Sequence, residues 1–247
     1  IRRERGDFAG SDRLWQEALA LARATGDQAA EGDALLGLGE NRALQGDTAA
    51  AESDLAAARA LFEAGGEKPK AATVRVVQAR MARDAGQAER AFAELIVLSR
   101  EFAERGELDE KVQADLEAAR CLLAQRGKRE AAAQLVSEAL GEAERNPAVW
   151  LRHLGRLVSA ELDIAFGRFA RARSTLAEAL AVAGAAGHRI AGFEARLDAL
   201  AVDRAAGSAS APAALAVFAA ELRGAGCGAL AARAERLAGA EAGVSPR

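Results

Sequence analysis

Residue types that specialised chemistry requires are scarce in this sequence. Its 247 residues include no tyrosine, two histidines, two cysteines and only 4% aromatic residues. No apolar run reaches the roughly 18 residues that a membrane-spanning helix requires. Long stretches of alternating polar and apolar residues are also absent, which gives β-strands little support. The sequence therefore favours helices, and we expect no membrane segment.

Charge of one sign is not concentrated anywhere along the chain. The 33 basic and 36 acidic residues are interspersed, and no basic block of the kind that follows a nucleic-acid backbone occurs. We therefore expect no direct contact between this segment and nucleic acid. A protein or peptide remains the expected kind of partner.

Groups that could converge on a catalytic centre or hold a metal ion are few. Cys121 and Cys227 lie far apart, and no short-spaced set of Cys and His offers a zinc site. His153 and His188 lie in different segments without a nucleophile or carboxylate constellation, which favours structural or surface roles. We expect no catalytic activity, metal or cofactor. Buried free thiols fit a reducing compartment, so the expected location is the cytoplasm.

Glycine, in contrast, is abundant and regularly spaced. One series recurs about every 40 residues, and a second series of turn residues falls midway between its members. The first series is Gly6, Gly46, Gly86, Gly127, Gly167 and Gly207, and the second is Gly26, Gly66, Gly106, Asn146, Gly187 and Gly226. A helix-breaking residue therefore arrives about every 20 residues, and self-similarity of this period indicates a repeat array.

Apolar and small residues between these turns follow helical spacing. Positions five, nine and twelve residues after each glycine of the first series lie on one face of a helix. The central column of this face is Trp15, Leu55, Leu95, Val136 and Leu176. The sixth copy is predicted to keep the pattern with one extra residue, at Ala213, Val217 and Ala220. We expect these columns, and Trp150, to lie in the core.

These patterns predict an all-α fold. Residues 1–247 form one array of helix pairs with a 40-residue period, which stack into an open solenoid. Residues 1–26 are predicted to be a truncated first repeat whose first helix is missing, so we expect a fragment of a longer protein. Residues 229–241 are predicted to form a C-terminal capping helix.

The order of small and large residues resembles the tetratricopeptide repeat, with its Leu-Gly pair, turn glycine and small–large–small face. The residues that carry the resemblance are Leu38-Gly39, Gly46, Ala51, Leu55 and Ala58. Two features depart from the family: the period exceeds the usual 34 residues, and most consensus aromatic positions and the closing proline are missing. The resemblance implies a right-handed α-solenoid in which the first helix of each pair lines a concave groove.

The chain is most similar to the arrays at the C-terminal end of bacterial multidomain signalling proteins. This resemblance implies a non-catalytic protein–protein interaction scaffold, which would read its partner in the groove. The candidate groove residues are Glu40, Arg80, Gln113, Glu117, Arg120, Glu161, Glu194 and Asp198. Arg80 and Arg120, in adjacent repeats, would present two exposed cations to an acidic partner, and the alternative for any single residue is a solvated charged face.

Three alternatives stay open at this stage. The array could be the regulatory or sensor module of a bacterial serine/threonine protein kinase. It could be the effector part of a winged-helix transcriptional regulator. A small-molecule-binding solenoid would instead require a deep apolar pocket between the helices.

Overall fold

The computed structural model describes residues 2–239, and these are almost entirely helical. Twelve α-helices follow one 3-10 turn, η1, at Arg3–Arg5, and no strand occurs within residues 2–239. The helices are α1 Phe8–Thr25, α2 Gln28–Gln45, α3 Thr48–Ala64, α4 Lys68–Asp84, α5 Ala88–Arg105, α6 Leu108–Leu123, α7 Arg129–Arg145, α8 Val149–Ala165, α9 Phe169–Ala186, α10 Arg189–Ala205, α11 Ala211–Gly224 and α12 Gly228–Gly239. The all-α prediction is confirmed.

Glycines end most of the helices, as their spacing predicts. All eleven glycines of the two series adopt positive φ angles, between 66° and 85°, a region that glycine enters without a steric penalty. Asn146, the twelfth turn residue, has an extended backbone instead. Its side chain accepts a hydrogen bond from the Ala148 N–H at 2.8 Å and donates one to Asp109 at 2.7 Å. This turn therefore relies on side-chain hydrogen bonds in place of a left-handed residue.

Each α-helix packs against the next one along the chain, and the even-numbered helices also contact one another in succession. We refer to α2, α4, α6, α8, α10 and α12 as the inner helices and to the odd-numbered α-helices as the outer helices. The predicted column of Leu55, Leu95, Val136 and Leu176 is buried at the pair interfaces. Burial of each such side chain contributes about 1.5–3 kcal/mol to folding.

The predicted register of the sixth copy is wrong. Val217 is 71% exposed, whereas Leu215 and Phe218 are buried. Pro212 lies in the first turn of α11, which begins at Ala211. Ala211, also buried, is four residues after Gly207, whereas Ala51 is five residues after Gly46. The sixth copy therefore has one residue fewer than the others, not one more.

The core prediction also fails for both tryptophans. Trp150 is 46% exposed, and Trp15 is half-buried, with its ring against Gly37. On the same helix as Trp15, Leu14 and Leu21 are exposed. One face of α1 is therefore left uncovered by the other helices of residues 2–239.

The two ends of the array meet, so the expectation of an open array is wrong. Residues of α12 contact α2, and η1 contacts α10. A Cβ atom on Gly228 would lie 2.1 Å from the carbonyl oxygen of Gln45, so only glycine allows this close approach. Phe8, at the start of α1, packs in the same cluster as Phe218 and Cys227. The curvature accumulated over successive helix pairs brings the chain back to its beginning.

The predicted capping helix over 229–241 corresponds to α12, which begins one residue earlier. Residues 240 and 241 lie outside the described residues. Within residues 2–239, no helix is both long and apolar enough to cross a membrane.

Candidate ligand-binding cavity

The inner helices surround a cavity of about 1600 Å³. Residues from all six inner helices and from η1 line it. The predicted groove residues that line it are Glu40, Arg80, Gln113, Glu117, Arg120, Glu161 and Glu194. Asp198 is fully buried behind this wall. At equivalent positions α2, α4, α6 and α8 therefore supply the cavity with a charged side chain, whereas α10 has Ala201 there.

Ion pairs connect these groups from one inner helix to the next. Glu117 on α6 accepts a hydrogen bond from Arg83 on α4, and Arg80 Nε lies 3.3 Å from its carboxylate. Arg120, also on α6, donates through Nε and Nη2 to Glu161 on α8, over 2.8–3.2 Å. These contacts tie α4, α6 and α8 together along one wall of the cavity.

The last inner helix extends the same network. Arg233 on α12 donates from Nη2 to Asp198 on α10, at 2.5 Å, and to Glu161, at 3.2 Å. Arg3 of η1 also donates a hydrogen bond at the cavity, to Glu40 on α2. The first and last described elements, η1 and α12, are therefore held to the cavity wall by charged hydrogen bonds.

The network corrects the expectation that Arg80 and Arg120 are displayed as two free cations. The Arg120 side chain is only 10% exposed and is paired with Glu161 and Glu117, while Arg80 is about one-third exposed and paired with Glu117. Because neighbouring inner helices lie side by side, charges at equivalent positions reach one another across the interface. Their first role is to join inner helices, so reversal of both charges would disrupt the fold as well as any partner binding.

Burial and charge act in opposite directions on two carboxyl groups of this network. Burial alone would raise the pKa of Glu117, but Arg83, Arg120 and Arg80 outweigh it and lower that pKa to about 2. At Asp198 burial prevails: together with the nearby Glu161 it raises the pKa to about 6, although Arg233 favours the ionised form. The negative charge of Glu117 is thus well compensated by the nearby arginines, whereas that of Asp198 is not.

These shifts predict opposite effects of pH on stability. The pKa of Glu117 lies below its ordinary value of 4.5. The stability that this carboxylate adds to the folded state is therefore fully present above pH 4.5 and is lost as the pH falls towards 2. The pKa of Asp198 lies above its ordinary value of 3.8, so folding favours the protonated carboxyl group. The contribution of Asp198 to the stability of the folded state therefore declines as the pH rises from about 4 to 6.

We expect Asp198→Asn to flatten the decline in unfolding free energy between pH 4 and 6, and Glu117→Gln to flatten the loss below pH 4.5. Urea unfolding at several pH values measures both effects. Glu63→Gln is the control, because Glu63 forms a half-exposed ion pair with Arg59. Unchanged pH profiles in both test variants would contradict this assignment.

Aromatic and imidazole groups also reach the cavity. Trp150, His153 and Leu157 on α8 line it together, because spacings of three and four residues place side chains on one helical face. The Nε2 atom of His153 lies 3.5 Å from the carboxylate of Glu194 on α10. The spacing of Trp150 to Leu157 and Glu161 in the sequence indicates that all three lie on one helical face. Only the curvature of the array shows that this face lines a cavity.

His188 and the two cysteine thiols are further groups whose chemistry could matter at the cavity. His188 lines the cavity, with Nε2 at 3.7 Å from the carboxylate of Glu4. Cys121 and Cys227 are buried, and burial raises the pKa of each thiol to about 11. They are therefore protonated near neutral pH, which makes them poor nucleophiles. Among residues 2–239, no group of three or more His, Cys, Asp or Glu side chains could hold a metal ion.

No family model matches the chain, and the comparison with curated proteins finds no match either. The function is therefore inferred from the repeat pattern and from the cavity itself.

Proposed function

We propose that this chain is a non-catalytic interaction module that holds a segment of a partner protein in its central cavity. In this proposal the array is a right-handed, tetratricopeptide-like α-solenoid with a 40-residue period. The left-handed turn glycines and the equivalent burial of Leu55, Leu95, Val136 and Leu176 support this repeat assignment. A module of this kind would act in the cytoplasm, as part of a larger bacterial signalling protein.

The observation that carries the proposal is the convergence of equivalent polar positions, together with Trp150, on one cavity. Its volume of about 1600 Å³ exceeds the roughly 300–1,000 Å³ of small-molecule pockets. Apolar side chains such as Val77, Met81 and Leu154 alternate with the charged groups along its lining. This mixture suits a peptide segment, which presents both apolar and polar side chains.

Trp150 is the side chain best placed to anchor such a segment. Tryptophan and arginine dominate the binding energy of protein interfaces, where they fill pockets from which water is excluded. The exposed ring of Trp150 lies at the start of α8, next to the buried His153. Binding of an apolar side chain against this ring would remove it from water without breaking any ion pair of the wall.

The regulatory alternatives concern the context of the module. If a kinase or a winged-helix domain lies on the same chain, the cavity would hold a segment of that domain and restrain it. The full open reading frame distinguishes these cases through the presence of a kinase catalytic loop or a recognition helix. The binding surface would be the same in either case.

Cavity variants test the proposal. We expect Trp150→Ala combined with Gln113→Ala to weaken partner binding at least tenfold, since removal of an anchoring tryptophan commonly costs about 2 kcal/mol or more. The matched control replaces two exposed apolar residues of the outer helices, Leu180→Ala and Val217→Ala. Quantitative co-purification from cells that produce the whole protein, followed by calorimetry with the partner found, measures the effect. Loss of binding in the control pair, with retention in the cavity pair, would contradict the proposal.

A further inference from the structure

Two carboxylates on adjacent inner helices converge on a single guanidinium group. Glu161 on α8 and Asp198 on α10 both accept a hydrogen bond from Nη2 of Arg233, at 3.2 and 2.5 Å. The side chain of Asp198 is fully buried and that of Glu161 nearly so. This acidic pair lies at the cavity wall, and one arginine of the terminal helix reaches it from the cavity side.

Arg233 does not satisfy the acidic pair completely. It uses one nitrogen for both carboxylates, and the second oxygen of Asp198, Oδ2, is buried without a hydrogen-bond partner among the described residues. A guanidinium group can instead donate two parallel hydrogen bonds to one carboxylate, which is the stronger arrangement. A buried acceptor without a donor is destabilising. The two carboxylates could therefore accept further hydrogen bonds from an arginine that approaches in a different orientation.

The side chain of Arg233 is more accessible from the cavity than those of two other arginines of the network. Among the described residues of α12, the buried side chains are Leu230, Ala231 and Ala234. The Arg233 side chain is 26% exposed, against 10% for Arg120 and 11% for Arg83, so a ligand in the cavity can reach its contact with the acidic pair.

We propose that Glu161 and Asp198 form a recognition site for an arginine side chain of the partner, and that Arg233 occupies this site in its absence. This inference rests on the proposed function of the cavity and specifies the chemistry of its ligand, a segment with at least one arginine. Binding would displace Arg233 from the acidic pair and so remove one of the contacts between α12 and α10. Partner binding would thereby loosen the contact between the two ends of the array.

The direct test removes the internal arginine. We expect the Arg233→Ala protein to bind the blocked peptide Ala-Ala-Arg-Ala-Ala at least tenfold more tightly than the unchanged protein does, as measured by calorimetry. A peptide with citrulline in place of arginine, which has a similar shape but no charge, should not bind. Arg236→Ala is the matched control, because Arg236 also lines the cavity from α12 but has no ion pair among the described contacts.

A second measurement does not depend on a peptide. Loss of Arg233 leaves the buried Asp198 without its hydrogen-bonded cation and leaves Glu161 with Arg120 alone, so Arg233→Ala should lower the melting temperature. Millimolar ethylguanidinium should restore part of that loss, whereas the unchanged protein and Arg236→Ala should not respond. Adding Asp198→Asn to Arg233→Ala should abolish both the rescue and the peptide binding. If Arg233→Ala does not fold, Arg233→Gln, which keeps most of the aliphatic stem, takes its place.

A folded Arg233 variant that binds the arginine peptide no more tightly than the unchanged protein, and shows no ethylguanidinium rescue, would overturn the inference. This failure is distinct from failure of the proposed function. Partner binding that depends on Trp150 but is unaffected by Asp198→Asn would leave the interaction module intact and remove only the arginine site. If ethylguanidinium restores the melting temperature of the Arg233 variant but the Trp150 variant binds the partner normally, the arginine site would stand and the proposed interaction module would fall.

Discussion

Replacement of Glu117 by alanine is expected to lower the free energy of unfolding by about 3–5 kcal/mol, because loss of one partner of a buried ion pair leaves the other charge uncompensated. Glu117 is 2% exposed, and the guanidinium groups of Arg83, Arg80 and Arg120 all lie within ion-pair distance of it. Its removal would leave three cations crowded between α4 and α6. Urea unfolding at pH 7, followed by circular dichroism, measures the loss.

Glu94→Ala is the matched control for this variant. Glu94 also pairs with an arginine, Arg75, but its side chain is more than one-third exposed, and ion pairs of that kind contribute about 0–1 kcal/mol. Equal losses in the two variants would show that the Glu117 network is as solvated as a surface pair. The charged wall of the cavity would then have no special part in holding the inner helices together.

Replacement of Phe218 by alanine is expected to cost about 3–5 kcal/mol, the usual loss for a fully buried aromatic side chain. Phe218 packs edge-on against Phe193, with ring centroids 6.0 Å apart. It belongs to the same cluster as Phe8 and Leu230, which joins the first and last helices. The variant should therefore weaken the contact between the ends of the array as well as its C-terminal pair.

Val217→Ala provides a control at the neighbouring position. Because Val217 is exposed, we expect its replacement to change the unfolding free energy by less than about 0.5 kcal/mol, as for most surface substitutions. The comparison also tests the register of α11, since the sequence pattern places Val217 in the core. Chemical denaturation of both variants, with hydrogen exchange to locate the loosened segments, decides between the registers. A larger loss at Val217 than at Phe218 would contradict the structure.

Helix positions and pair interfaces were predictable because their signals are local. Turn glycines at regular spacing end the helices, and the buried column of Leu55 and its equivalents follows from offsets within one helix. The register of the sixth copy was not predictable from spacing alone. There, Pro212 lies in the first turn of α11, and the buried column begins at Ala211, one residue closer to its turn glycine than in the other copies. Alanines on several faces of this helix fit either register.

The cavity could be predicted only in part. The charged positions on the first helix of each pair were identifiable as one face, and most of them line the cavity. Their mutual pairing was not identifiable, because it depends on how closely neighbouring inner helices approach. The contact between α12 and α2 depends on curvature summed over the whole array, which no single repeat encodes. The position of Trp150 in the cavity follows from that same curvature.

Site-specific photo-crosslinking tests the central claim most directly. A benzophenone amino acid placed at Trp150 reports contacts inside the cavity, and the same group at Val217 reports contacts on the outer surface. With the full-length protein in its own cells, we predict that the partner is captured from position 150 and not from position 217. Capture from position 217 alone would show that the partner binds the outer helices and would contradict the account.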